Sequence, residues 1–283
     1  MSYDLRDDLF ASLADKRFTA ELRVTTPGVI CGVENAAAKA EDLGCEVLSM
    51  AADSDEVTPA QPVLVIRAPA KQIAIAEDTL PGAIGKFSAI ARAARLAQAT
   101  AGDRLQVVSG AAKKMPVEIK PQVHRAIHVG GGSSRITPPP FVYIDKNYVR
   151  MFGGVRNAIN AAAALAGHTR CIQLRGLVEP LVAEAQAAIE LGVEILMIDT
   201  GELADLDLVA ELVRKAGKRA QTRIAFAGEI QIADIPEIAN HDVDILDVGL
   251  AVIDAPSVAV KFDVVLDSTQ YQEPNPPAEK QAK

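Results

Sequence analysis

From residue 105 onward the chain repeats one pattern. Short apolar runs read LQVVSG (105–110), IHVGGG (127–132), FVYIDK (141–146), CIQLRG (171–176), EILMID (194–199), RIAFAGE (223–229) and DILDVG (244–249). Stretches with helical spacing separate most of them, notably Val155–Ala166, Pro180–Leu191 and Leu206–Ala216. The later runs start about 20 to 30 residues apart, the period of βαβ units with parallel strands and outer helices. Strands covered on both faces read as continuous apolar runs, and these largely do. Right-handed crossovers then make a closed or nearly closed α/β barrel the natural solution.

The first part of the chain lacks that period. The segment to Leu13 reads as a short amphipathic helix, FTAELRV (18–24) alternates like a strand, and Glu34 to Leu43 has helical spacing with Gly44 as its stop. PVLVIRA (62–68) is a strong strand run. Pro81-Gly82 punctuates the chain, and an Ala-rich helix is expected from Ile84 to Thr100. Residues 1–103 therefore form one small unit of helices and strands, and 104–260 a barrel. KFDVVLD (261–267) is placed to return to the first unit as an extra strand. The tail 268–283 is polar and Pro-rich and is expected to be disordered.

A length of 283 residues suits two such units. Net charge is −8 and Trp is absent, which argues against a general nucleic-acid binder. No apolar run approaches the roughly 18 residues of a membrane span. No secretory signal is evident at the N-terminus. Cys31, Cys45 and Cys171 are scattered without a CxxC pair, so they are expected to be buried free thiols of a cytoplasmic protein. His124 and His128 are four apart, but His128 falls in the run expected to be the second strand, and no metal role is expected of them.

In α/β barrels the chemistry collects at the C-terminal strand ends. Those ends carry Ser109-Gly110 then Lys113 and Lys114; Gly130–Gly132 then Ser133, Ser134 and Arg135; Asp145-Lys146-Asn147; Arg175; Asp199; Gly228-Glu229; and Gly249. Cations gathered at one mouth of an acidic chain point to an anionic ligand, a phosphate or carboxylate. The competing reading leaves each cation solvated or paired with Asp145, Asp199 or Glu229.

The ordered series GVICGVE (28–34), the helix from Ile84 into LQVVSGAAKKMP, VGGGSSR, YIDKNYVRMFGGV, ILMIDT, AFAGEI and DILDVG resembles the quinolinate phosphoribosyltransferases, the carboxylating nicotinate-nucleotide pyrophosphorylases, over most of residues 5–265. The resemblance implies an incomplete (β/α) barrel with an N-terminal α/β sandwich domain. It also implies a homodimer or higher homo-oligomer in which one subunit closes its partner's mouth. The implied reaction is phosphoribosyl transfer from phosphoribosyl pyrophosphate to quinolinate with Mg²⁺, followed by decarboxylation.

Strand-end position and resemblance together make Lys113, Lys146 and Asp199 the catalytic candidates, with Asp199 also toward the metal; the resemblance itself keeps Lys113 and Asp199. Lys86, Lys114, Arg135, Ser134, Asn147 and Arg175 line the substrate, and Gly228 and Gly249 the phosphate. The chain also departs from the pattern. An arginine becomes Lys86, another becomes Ala112, a histidine becomes Ser134, a lysine falls on Asp145, and a second histidine becomes Tyr148. Glu229 and Asp247 stand where phosphate would sit. Losing a charged partner from a desolvated pair costs roughly 2–5 kcal/mol. The sequence therefore favours a phosphoribosyltransferase-like pentosyltransferase acting on an anionic small molecule other than quinolinate, with or without a phosphate of its own. Two alternatives stay open: a non-catalytic metabolite-binding or assembly protein, and a quinolinate phosphoribosyltransferase with shifted catalytic residues.

Overall fold

The computed structural model describes residues 3–266, so the tail from Ser268 lies outside the described residues. The N-terminal unit runs through α1 (Leu5–Leu9), β1 (Arg17–Val24), β2 (Gly28–Val29), α2 (Val33–Asp42), β3 (Glu46–Met50), β4 (Glu56–Val57) and β5 (Leu64–Pro69). Asp4 caps α1 by accepting the Arg6 N–H at 3.0 Å, but α1 buries no residue. β1 follows the two-residue period, burying Ala20, Leu22 and Val24. These pack with Leu64 and Ile66 of β5 and with Ala36 and Ala40 of α2 into one apolar core.

α3 runs from Ala70 to Ala101, 32 residues, and carries straight through Pro81. The expected break at Pro81-Gly82 is thus corrected. Ile73, Ala76, Leu80, Ile84, Phe87 and Ala91 are buried at helical spacing across that point, and tertiary packing of this stripe outweighs the local cost of an interior proline. The stripe serves both units: Ile73 to Ile84 lie in the first core, and Phe87 onward in the barrel's.

The barrel follows as β6 (Gln106–Val108), α4 (Lys120–Val129), β7 (Phe141–Ile144), α5 (Lys146–Phe152), α6 (Val155–Ala162), β8 (Thr169–Leu174), α7 (Leu181–Glu190), β9 (Ile195–Asp199), α8 (Leu203–Lys215), β10 (Arg223–Ala227), α9 (Ile235–Ile238), β11 (Ile245–Asp247) and α10 (Leu250–Ile253). The strands are parallel in the order β6-β11-β10-β9-β8-β7. β6 and β7 do not pair, and one parallel bridge from Val108 to Ser133 marks the seam. The chain then returns as β12 (Val260–Val264), antiparallel to β1, completing a sheet ordered β12-β1-β5-β3. The architecture is an incomplete (β/α) barrel with an N-terminal α/β domain.

IHVGGG (127–132) is not the second strand. Its first three residues end α4, and the glycines form the turn after it. Val123, Ala126 and Ile127 are buried at helical spacing, which a short apolar run does not reveal by itself. A side chain at Gly130 would place Cβ 2.3 Å from the Ala91 carbonyl oxygen, so this glycine lets α4 lie against α3.

Side chains of the barrel strands divide cleanly. Val108, Phe141, Tyr143, Cys171, Ile195, Met197, Ala225, Ala227 and Ile245 fill the lumen. Their alternates, among them Ile144, Ile172, Leu196, Ile198, Phe226 and Leu246, pack outward beneath the helices. Cys31, Cys45 and Cys171 are buried free thiols. Among the described residues no helix is long and apolar enough to cross a membrane.

Candidate active site at the barrel mouth

Alternation along the strands decides which polar residues face the lumen. Tyr143, Met197 and Ile245 are lumen residues, so Asp145, Asp199 and Asp247, each two positions on, share that side. Cys171 likewise puts Gln173 and then Arg175 there. Of the adjacent pair Asp145 and Lys146, the carboxylate therefore takes the inner face. Asp145 also caps α5, accepting the N–H groups of Asn147 at 2.8 Å and Tyr148 at 3.1 Å.

These inner groups are tied together. The Gln173 amide donates to Asp199 Oδ2, and its Oε1 accepts the Lys146 N–H at 2.7 Å. The Arg175 guanidinium lies 3.7 Å from Asp199 Oδ2. Asp247 Oδ1 accepts the Gly110 N–H at 2.9 Å, and the Ser109 hydroxyl donates to the Gly249 carbonyl at 3.2 Å. Burial raises the Asp247 carboxyl above the ordinary range, with the Asp199 charge adding to it, while the Gly110 N–H, Lys113 and Lys114 oppose the rise. Burial also raises the Tyr143 phenol, with the charges of Asp247, Asp199 and Asp145 acting the same way. The end of the lumen is thus a ring of carboxylates within electrostatic reach of one another.

Around it stand the cations. Lys113 and Lys114 end the 3-10 turn that follows β6. Arg135 is exposed beyond the seam, and Lys146 opens α5 half-buried. Among the described residues none of these four has an ion-pair partner, whereas Arg175 has Asp199. Pairing thus accounts for Arg175, while Lys113, Lys114 and Arg135 are exposed and Lys146 half-buried, open to solvent as to a ligand. Ser134 sits at the same rim. Asn147 is exposed in the first turn of α5. Lys86 stands apart: its ammonium donates to the Ala255 carbonyl at 3.1 Å, on the segment leading back to β12.

The two glycines expected to cradle phosphate have structural work. A Cβ at Gly228 would meet the Gly201 backbone nitrogen at 2.2 Å, and one at Gly249 the Ala111 side chain at 3.1 Å. Both let the loops of the mouth close on each other. Glu229, next to Gly228, holds a left-handed backbone at φ 60°, unusual for a residue with a side chain.

Sequence reasoning missed three contributors. Gln173 is the link between Lys146 and Asp199. Glu184 of α7 is almost fully buried, and its carboxylate accepts the N–H groups of Arg175 at 3.0 Å and Gly176 at 2.8 Å, fixing the loop that carries Arg175. His128 approaches Ser134 to 3.2 Å. A buried glutamate inside an otherwise apolar helix face was the one readable signal among them.

Both halves of the chain match a known family. Residues 7–88 match the model of the quinolinate phosphoribosyl transferase N-terminal domain, and residues 90–263 that of its C-terminal domain. The chain belongs to the quinolinate phosphoribosyl transferase family. The human nicotinate-nucleotide pyrophosphorylase (carboxylating) is 23% identical over 241 residues, covering 84% of this chain and 80% of its own length. A probable enzyme of the same name from Methanothermobacter thermautotrophicus is 21% identical over 250 residues, 88% of each chain. The nicotinate-nucleotide pyrophosphorylase structure from Pyrococcus furiosus shares the fold at a TM-score of 0.76 and 23% identity, covering 92% of this chain and 73% of that one. NadC from Streptococcus pyogenes does so at 0.72 and 21%, covering 93% and 91%.

Proposed function

We propose that the barrel mouth transfers a phosphoribosyl group from phosphoribosyl pyrophosphate to the ring nitrogen of quinolinate, with loss of pyrophosphate and then of carbon dioxide. The observation that carries this reading is the arrangement, around a carboxylate ring, of four cations without ion-pair partners among the described residues, on a family scaffold matched in both halves. Lys113, Lys114, Arg135 and Lys146 would hold the carboxylates and phosphates. Asp199, oriented by Gln173, would face the ribose as positive charge develops at its anomeric carbon. Such a reaction depends on positioning and charge more than on a strong base.

Mg²⁺ fits this site as a companion of the diphosphate. Among the described residues no three acidic, His or Cys groups form a protein-only cage, and Mg²⁺ commonly takes one or two carboxylates together with substrate phosphates. Asp199, with Asp247 beside it, supplies that number. Bound there, the ion would neutralise charge on the leaving diphosphate.

A second reading, an anionic acceptor other than quinolinate, is favoured by Asp145, whose inward carboxylate opposes a dicarboxylate. One assay separates the two: pyrophosphate release from phosphoribosyl pyrophosphate and Mg²⁺, with quinolinate and with a panel of aromatic monocarboxylates. Release with quinolinate together with nicotinate mononucleotide supports the first reading. Release with a monocarboxylate alone supports the second, and release with neither sinks both. A homodimer in a reducing cytoplasm completes the proposal, and a clean monomer near 29.9 kDa on gel filtration would remove Lys86 from any shared mouth.

A further inference from the structure

Of the cations at the mouth, Arg175 alone has no part in the proposed transfer. In the parallel register Leu174 of β8 lies opposite Ile198 of β9, so the next position sets Arg175 opposite Asp199. The guanidinium lies 3.7 Å from Asp199 Oδ2, with the two side chains 35% and 22% exposed. The same oxygen accepts the Gln173 amide. One oxygen of Asp199 thus carries both a full counter-charge and a neutral donor.

This placement is built from beneath. Glu184, 2% exposed in the first turn of α7, accepts the N–H groups of Arg175 at 3.0 Å and Gly176 at 2.8 Å on a single oxygen. Gly176 holds φ +64°, and a Cβ there would stand 3.3 Å from the Leu181 backbone nitrogen. The turn after β8 is pressed onto the start of α7, and a buried carboxylate is spent on fixing it. The backbone of Arg175 is therefore set, while its side chain is held more loosely. At 3.7 Å the guanidinium meets Asp199 by charge, without a hydrogen bond. A partly exposed pair of that kind is weak and yields to a stronger cation.

We propose that Arg175 is a resident counter-cation of Asp199, a gate that a divalent cation must displace to enter the mouth. Guanidinium and dication compete for one carboxylate, and the repulsion between them adds to the pairing that is lost. A bare ion therefore binds the chain weakly. An ion arriving on a diphosphate brings the negative charge that compensates Arg175, so metal enters with the diphosphate and not ahead of it. Arg175 is a positioning residue in this scheme, acting through Asp199. The inference rests on the reading of Asp199 as a carboxylate of the metal.

The test is calorimetric titration with Mg²⁺ alone of the wild-type chain, Arg175→Gln and Arg135→Gln, the last removing an equal charge away from Asp199. Arg175→Gln should bind Mg²⁺ about tenfold or more tighter than wild type. Arg135→Gln should stay within about threefold of wild type. Adding Asp199→Asn to Arg175→Gln should abolish the gain. Unchanged affinity in Arg175→Gln, no detectable binding by it, an equal gain in both glutamine variants, or a gain that survives Asp199→Asn each overturns the proposal. Glu184 holds backbone groups that glutamine keeps, so the melting temperature of Arg175→Gln should hold. Should it unfold, Arg175→Met retains an unbranched stem and carries the same expectation. Pyrophosphate release by the wild type with Mg²⁺ affinity unmoved in Arg175→Gln sinks the gate alone. An Asp199-dependent gain in a chain that releases no pyrophosphate sinks the transfer reaction alone.

Discussion

The two ends of the barrel treat charge in opposite ways. At the N-terminal strand ends the guanidinium groups are partnered: Arg170 with Glu194 at 3.1 Å, Arg219 with Asp242 at 2.7 Å and Asp244 at 2.9 Å, and Arg223 with the Gln106 amide oxygen at 2.6 Å. At the C-terminal ends Lys113, Lys114, Arg135 and Lys146 are left without ion-pair partners among the described residues, while Asp145, Asp199 and Asp247 crowd the lumen. Paired charges close the floor and hold strands in register. The cations at the other end are exposed or half-buried and hold no acid of the described chain, which leaves them open to whatever enters. This is the division expected of α/β barrels, with stability at one face and chemistry at the other.

Breaking the floor should give the largest effect. Arg219→Ala removes the partner of two acids, one of which also accepts the Ile224 N–H at 2.7 Å. Stability in urea should fall by about 2–3 kcal/mol, with ligand affinity per folded molecule unchanged. The rim predicts the reverse. Arg135→Ala should weaken pyrophosphate or quinolinate binding about 30-fold and leave the melting temperature in place, because its guanidinium makes no side-chain hydrogen bond among the described residues. Equal losses of stability at both ends would erase the distinction.

A third substitution sharpens the comparison inside the mouth. Asp145→Asn keeps an oxygen for the cap of α5 and removes one inward charge. Quinolinate affinity should rise about tenfold, a like-charge repulsion of roughly 1.4 kcal/mol relieved. No change would mean that Asp145 does not face the bound acid, and the preference for a monocarboxylate would lose its support.

The barrel was legible because its strands are buried on both faces, so their apolar runs stand out whatever lies between them. Edges and exceptions were not. β3 is mostly exposed and carries little apolar signal. Ile127 to Gly132 reads as a strand because three apolar or neutral residues before glycines fit either period. Pro81 suggests a break that the buried stripe around it overrides. In the site, residue types at strand ends were readable as a list, and their facing was not. The link from Gln173 to Asp199 depends on strand register, and the hold of Glu184 on the Arg175 loop depends on how α7 packs. Both are products of tertiary structure that spacing along the chain does not encode. Lys86 shows the converse: its place in the pattern was clear, and within one chain its ammonium is spent on the Ala255 carbonyl.

Asp247 supplies the smallest and most discriminating test. Its carboxyl is raised chiefly by burial and further by Asp199, so between the ordinary carboxylate range and its own value the folded chain binds more protons than the unfolded one. Stability must then fall as pH climbs through that window and stay lower above it. Asp247→Asn retains Oδ1 for the Gly110 N–H and abolishes the charge. The variant should unfold at higher urea than wild type at pH 7, and the gain should shrink as pH falls through that window and vanish below the ordinary carboxylate range, where folded and unfolded carboxyls are both protonated. If instead the wild type is the more stable at pH 7, Lys113 and Lys114 outweigh the desolvation of Asp247. The rim would then be neutralised by the protein's own acids, as the floor is, and its cations would no longer call for a ligand.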